Sequence, residues 1–317
     1  MPNYGIIDLG SNTVRMCIYE VRNSKQLEYR KKKDFRTIIN HKVMAGLAAH
    51  VVDGEMTDQG IEHAVSVLSG HLRRAEYFDC KRLDIFATAV LRNCENSHEA
   101  VRVIERRIGH DIRLLSSADE AHLGFVGAMS ADALGTGTLI DIGGGSTELT
   151  RVRDGKDSNN VSIGQGSLSS YANFVAGVLP TAHEARAIVE SFDEKLEETV
   201  RKNRDRYENA QFYGVGGAVR AASKMIAEVK RSARPTDLTP ADLDQIVTLS
   251  CEDPSAFAHL AVKATPDRVH TLLPGCLILR RVLEEFGAES LHVCGGGVRE
   301  GYLIERILKG VPKQQRS

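Results

Sequence analysis

Short apolar runs and period-two alternation mark residues 4–9 and 14–21 as strands joined by a glycine turn, with a third strand expected at about 26–33. Ile61, Val65, Leu68, Leu72 and Ala75 recur at helical spacing, so 57–78 reads as an amphipathic helix. A strand over 83–87, a helix at about 97–108, a strand at 112–115 and a helix from Ser117 to about Met129 complete this half. The pattern then restarts. Strands at 138–142, 146–153 and 158–163 surround a second glycine turn, and helices at about 181–206 and 217–229 flank a strand at 211–215. Further helices fill 239–286, and a strand over 290–294 runs into a last helix. One strand-turn-strand-strand-helix unit is thus used twice. This predicts two α/β domains with mixed sheets, residues 1–118 and 119–297, with a helix over 298–317 returning to the first. Both glycine turns are expected to face a cleft between the domains.

Composition narrows the partners. The chain has 317 residues, 41 Lys+Arg and 42 Asp+Glu, so bulk charge points to neither nucleic acid nor membrane. The cluster Arg30-Lys31-Lys32-Lys33, with Arg36 nearby, suits either a polyanion or a lysine-guarded strand edge. Six scattered cysteines form no CxxC pair, which argues against zinc or a disulfide framework and fits a reducing cytoplasm. No signal sequence opens the chain, and no window approaches the roughly 18–20 apolar residues of a membrane span. The expectation is a cytoplasmic, soluble chain.

The two glycine turns carry the clearest chemistry. Asp8-Leu9-Gly10-Ser11-Asn12-Thr13 and Asp141-Ile142-Gly143-Gly144-Gly145-Ser146-Thr147-Glu148 each follow an apolar strand. Each offers backbone N–H groups, small hydroxyls and a carboxylate, which is what a phosphate chain with its cation requires. One such aspartate would be read as capping its own turn. Two matched copies favour Asp8 and Asp141 as metal carboxylates, with Glu148 adding a carboxylate or positioning water. Gly214-Val215-Gly216-Gly217 and Gly295-Gly296-Gly297 are weaker signals, since strand–glycine–helix junctions often serve only close packing. Neither forms the dinucleotide fingerprint, because Val219 stands at its last glycine position.

Other candidates have ordinary readings. Ser117-x-x-Glu120 satisfies a capping box, and on spacing alone capping is preferred over a role for Glu120 as a proton acceptor. Arg92 and Arg268 could fork phosphate oxygens, but lone arginines are usually surface residues. His122 and His270 lack metal-ligand spacing.

Taken together, Asp8-Leu-Gly-Ser-Asn12, Ala87-Thr-Ala-Val-Leu-Arg92, Leu115-Ser-Ser-Ala-Asp-Glu120-Ala and Asp141-Ile-Gly-Gly-Gly-Ser-Thr-Glu148-Leu occur in an order that resembles the exopolyphosphatase/guanosine pentaphosphate phosphohydrolase family. Gly214-Val-Gly-Gly217 and Leu273-Pro-Gly275 add to the resemblance, which covers about residues 3–308. It implies an actin-like (ASKHA, ribonuclease H-like) fold and metal-assisted release of orthophosphate from inorganic polyphosphate, or from guanosine pentaphosphate. It implies Mg2+, with Mn2+ and a monovalent cation as alternatives or additions, and admits a homodimer. It assigns the catalytic base to Glu120, reversing the spacing-only reading, and metal and water positioning to Asp141 and Glu148. Asn12, Arg92, Ser146 and Arg268 match phosphate-gripping positions, beside the turn residues Ser11, Gly143, Gly144 and Gly145. The chain departs from the family at His122, at Gly216-Gly217-Ala218 where Ser-Gly-Thr is common, and at Val269-His270. The C-terminal helical domain of long members is not expected. A small-molecule kinase and a non-catalytic nucleotide-switched binder are the competing readings on such a fold.

Overall fold

A computed structural model describes residues 1–22, 34–202, 204–207 and 211–309. The chain divides into two compact units: Met1–Ala133 with the described residues from Gly296 onward, and Leu134–Gly295.

In the first unit, β1 (Asn3–Leu9), β2 (Thr13–Val21) and β3 (Phe35–Met44) form an antiparallel meander. A two-stranded ribbon, β4 (Val51–Val52) and β5 (Glu55–Met56), stands outside the main sheet. Strands β6 (Cys80–Ala87) and β7 (Ile112–Leu114) then add in parallel beyond β1, giving the order β3-β2-β1-β6-β7. Helices α1 (Asp58–Ala75), α2 (Ala89–Arg92), α3 (Ser97–Ile108) and α4 (Ser117–Ala131) complete this part of the unit.

The second unit repeats the plan. Strands β8 (Gly137–Ile142), β9 (Thr147–Arg153) and β10 (Lys156–Ile163) are the meander. Helices α5 (Ser167–Phe174) and α6 (Ala182–Val200) lead to β11 (Gln211–Val215), which pairs in parallel with β8. After α7 (Gly216–Lys230) comes the antiparallel edge strand β12 (Asp237–Leu238). Helices α8 (Pro240–Glu252), α9 (Pro254–Ala264) and α10 (Val269–Glu285) precede β13 (Leu291–Val293), parallel to β11. The resulting order, β10-β9-β8-β11-β13-β12, matches the first sheet apart from its extra edge strand. The duplicated, mixed α/β architecture follows from these two orders.

Strand parity decides what each sheet face meets, because successive side chains point to opposite faces. Ile7, Leu9, Val14 and Met16 pack with Ile61, Leu68 and Ile104 of α1 and α3. Tyr4, Ile6, Cys17 and Tyr19 pack on the other face with Leu123 of α4 and Tyr302, Leu303 and Ile307. Asp8 shares the parity of Ile6, so it faces the side covered by α4 and by α11 (Val298–Tyr302).

Three sequence expectations change here. The third strand lies at Phe35–Met44, while residues 26–33, with Arg30–Lys33, fall outside the described residues. Only Phe35 of β3 is fully buried, so this edge strand carries little alternation to read. Its Arg36 is 68% exposed and pairs with Glu20, as a solvated edge would have it. The boundary between units falls after Ala133 rather than after residue 118. The reason is close backbone packing of α4 on α11: a Cβ on Gly127 would stand 1.9 Å from Gly297 O, and one on Gly301 1.8 Å from Leu123 O. The helix expected to reach residue 206 ends at Val200. Among the described residues no helix is long and apolar enough to cross a membrane.

Candidate active site

The two glycine turns are closed by the same backbone hydrogen bond. Gly10 N–H donates to Thr13 O at 3.0 Å, and Gly143 N–H donates to Ser146 O at 2.9 Å. Residues 8, 10, 13 and 15 therefore correspond to 141, 143, 146 and 148. Their chemistry differs. Asp8 stands opposite Arg15 across β1 and β2, whereas Asp141 stands opposite Glu148 across β8 and β9.

At the first turn, the carbonyls of Ser11 and Asn12 accept from the N–H groups of Ala48 and Gly46, each at 3.0 Å. Ser11 is buried, and Asn12 Nδ2 is buried without a hydrogen-bond partner among the described residues. A buried amide donor of this kind costs stability unless an acceptor, such as a phosphate oxygen, reaches it. Asp8 Oδ2 accepts from Arg299 Nη1 at 2.7 Å, with both side chains more than four-fifths buried.

At the second turn, the start of α5 takes up the carbonyls. Ser167 N and Oγ both donate to Gly143 O at 3.0 Å, and Leu168 N and Ser169 N donate to Gly144 O at 2.9 and 2.8 Å. A trans peptide points its N–H opposite its C=O, so the N–H groups of Gly144 and Gly145 face away from α5. Glycine at 166 is required by this approach, since a Cβ there would lie 2.7 Å from Gly143 O. Glu148 is 3% exposed, and its Oε1 accepts from Ser146 Oγ at 2.6 Å and Ser162 Oγ at 3.0 Å. Two carboxylates directly opposite on one sheet face repel each other, an arrangement suited to a shared cation. Among the described residues no three His, Cys, Asp or Glu groups cluster as a metal site. Magnesium commonly uses only one or two protein carboxylates and completes its shell with phosphate and water, so Asp141 and Glu148 fit it.

The glycines at the start of α7 make room for two of these groups. Gly216 has φ +84, and a Cβ there would stand 2.1 Å from Asp141 Oδ1. A Cβ on Gly217 would stand 2.1 Å from Arg268 Nη2. The structure thus brings Asp141, Glu148, Ser146 and Arg268 to the second unit's glycine turn and its flank. His270 stacks edge-on with Tyr171 at 5.0 Å, and burial, with Arg268 nearby, holds its pKa below the usual histidine value.

Glu120 and Arg92 meet within the first unit. Arg92 Nη1 donates to Glu120 Oε2 at 2.7 Å and to Leu115 O at 3.1 Å; the two side chains are 14% and 15% exposed. The capping box read from Ser117 is not what forms. Ser116 is the N-cap, its Oγ accepting from Asp119 N–H at 3.0 Å and donating to Asp119 Oδ2 at 2.7 Å. The one-residue shift gives capping to Asp119 and turns Glu120 toward Arg92.

Sequence reasoning missed Arg299, Ser162 and Ser167. Arg299 follows a glycine run read as a weak anion-site signal, and the serines contact Glu148 and Gly143 from neighbouring elements that no spacing rule links.

The chain is thus a duplicated α/β protein whose glycine turns are flanked by buried carboxylates and arginines. The sequence profile of the Ppx/GppA phosphatase family matches residues 28–310, and the chain belongs to that family. It is 24% identical over 317 residues to the guanosine-5'-triphosphate,3'-diphosphate pyrophosphatase of Pseudoalteromonas atlantica, matching 99% of this chain and 60% of that one. The chain therefore spans about three-fifths of that relative's length. It is 20% identical over 309 residues to exopolyphosphatase 1 of Mycobacterium tuberculosis, covering 96% and 88% of the two chains. The crystal structure of an exopolyphosphatase from Cytophaga hutchinsonii is similar in fold, with a TM-score of 0.80, 19% identity and coverage of 95% and 96%.

Proposed function

We propose that this phosphatase is an exopolyphosphatase that hydrolyses the terminal phosphoanhydride bond of inorganic polyphosphate, with Glu120 as general base. The observation that carries the reading is the Arg92–Glu120 pair, formed because Ser116 and Asp119 take over the helix cap. Arg92 orients the carboxylate. Glu120 accepts a proton as water oxygen bonds to the terminal phosphorus; the bridging P–O bond breaks, and its electron pair leaves on the shortened chain. The products are orthophosphate and a chain one phosphate shorter.

The second unit carries hydrogen-bond donors for phosphate, and carboxylates, of its own. The N–H groups of Gly144 and Gly145 and the guanidinium of Arg268 receive phosphoryl oxygens. Ser11, Asn12 and Ser146 add polar groups at the two turns. Asp141 and Glu148 would hold Mg2+ or Mn2+, which when bound offsets negative charge on those oxygens.

Orthophosphate release in Mg2+, measured with long polyphosphate, tripolyphosphate and guanosine pentaphosphate, tests the reading. Inorganic polyphosphate, long or short, is expected to be a better substrate than guanosine pentaphosphate. Guanosine pentaphosphate is the second reading, supported by the match of 99% of this chain to 60% of the Pseudoalteromonas pyrophosphatase, and a higher kcat/KM for it would replace the first. Glu120→Gln should lower kcat by about 10^2 to 10^4 while leaving the fold intact. A folded variant working at the wild-type rate would sink the assignment of the base.

A further inference from the structure

The two hairpins are alike in backbone, but the residues that face their aspartates are opposite in charge. Asp141 faces a second carboxylate, Glu148. Asp8 faces a guanidinium, Arg15, and accepts a 2.7 Å bond from a second one, Arg299. Arg15 and Arg299 lie close enough that the charge of Arg299 works with burial to lower the pKa of Arg15. A divalent cation placed on Asp8 would sit against two positive charges and displace a buried ion pair, whereas at Asp141 the facing residue is itself an anion.

Arg299 opens a further connection. It stands on α11, whose backbone touches α4 at Gly127–Gly297 and Leu123–Gly301, and α4 carries Glu120. Beside it, Glu300 Oε1 accepts from Tyr19 OH at 2.9 Å, tying the same helix to β2. Arg306, farther along, pairs with Asp119, the neighbour of Glu120, at 2.5 Å. The end of β1 is thereby joined through α11 to the helix that presents the base.

We infer that Asp8 is a positioning residue, not a metal ligand: its pair with Arg299 fixes the first phosphate turn against the α11–α4 couple and so sets Glu120, while metal belongs to Asp141 and Glu148 alone. This rests on the exopolyphosphatase reading for what Glu120 does, but the metal assignment can be read without activity.

The test is Mn2+ binding, followed by electron paramagnetic resonance of the free ion, in wild type, Asp8→Asn and Asp141→Asn. Asp141→Asn should weaken Mn2+ by at least about tenfold, as loss of a ligand does, and Asp8→Asn should change it by less than about twofold. In the phosphate-release assay Asp8→Asn and Arg299→Met should lower kcat far more than they raise KM, with Arg299→Lys recovering part of the loss. Should Asp8→Asn misfold, the Asp8→Asn/Arg299→Met double variant removes both charges and reads the same Mn2+ titration. Loss of Mn2+ by Asp8→Asn to the extent seen with Asp141→Asn overturns the inference, as does a pure KM effect. A wild-type chain that binds Mn2+ but is inert toward every phosphoanhydride overturns the functional reading, and the Mn2+ titration then decides the role of Asp8 by itself.

Discussion

A buried carboxylate must be compensated, and single residues show how differently that is done here. Glu148 is served by two serine hydroxyls, Glu120 and Asp8 by arginines. Gly216 is the residue on which the Asp141 arrangement depends, because its left-handed φ and the nearness of Asp141 Oδ1 both exclude a Cβ. Gly216→Ala should therefore destabilise the chain by roughly 1–3 kcal/mol and weaken Mn2+ at Asp141, measurable by chemical denaturation and by metal titration. Gly217→Ala meets only the tip of the Arg268 side chain, which can move, so its effect should appear mainly in the KM for polyphosphate. The sequence signalled glycine at both positions but not which one the backbone demands. That depends on φ and on a carboxylate from another strand.

At the scale of elements, the glycine runs divide by what they pack against. Gly295–Gly297 reads as a weak phosphate motif, yet Gly296 and Gly297 lie against the backbone of α4, with Gly127 completing the contact. A Cβ at Gly127 would meet backbone atoms that cannot swing aside, so Gly127→Ala should cost on the order of 1–3 kcal/mol or more. A fall in melting temperature together with lower kcat would show that the α4 and α11 contact supports the base; unchanged melting would contradict the packing account. Capping teaches the same lesson at finer grain. Both Ser116 and Ser117 precede a carboxylate at the right spacing, and sequence cannot choose between Ser116-x-x-Asp119 and Ser117-x-x-Glu120. The choice is settled by Arg92 and Arg306, which draw Glu120 and Asp119 to different partners.

For the molecule as a whole, acid stability follows from a buried histidine. His71 on α1 is fully buried, its Nε2 stands 3.3 Å from Val14 O beside the first turn, and its Nδ1 has no partner among the described residues. Burial is the main cause of its lowered pKa and outweighs the hydrogen bond to Val14, which raises it; His41 and Arg74 nearby act with burial. A histidine held below its unfolded value of about 6.5 leaves the unfolded chain binding more protons, so stability falls as pH drops below about 6.5 and levels off beneath the folded pKa. His270, lowered by burial and Arg268, adds to the same slope. Thermal melts between pH 5 and 8 should show this decline, flattened in His71→Gln, whose amide can still donate to Val14; an equal slope in that variant would refute the account. The sequence by itself determined the duplicated strand plan, the two glycine turns and the family, because alternation, glycine placement and motif order are local properties of the chain. Which aspartate faces an arginine and which a glutamate, and which of two adjacent carboxylates pairs with Arg92 instead of joining the cap, only the tertiary structure decided. Those outcomes depend on strand register and on Arg299, Arg306 and Ser162, whose contacts with the turns and with α4 no local pattern records.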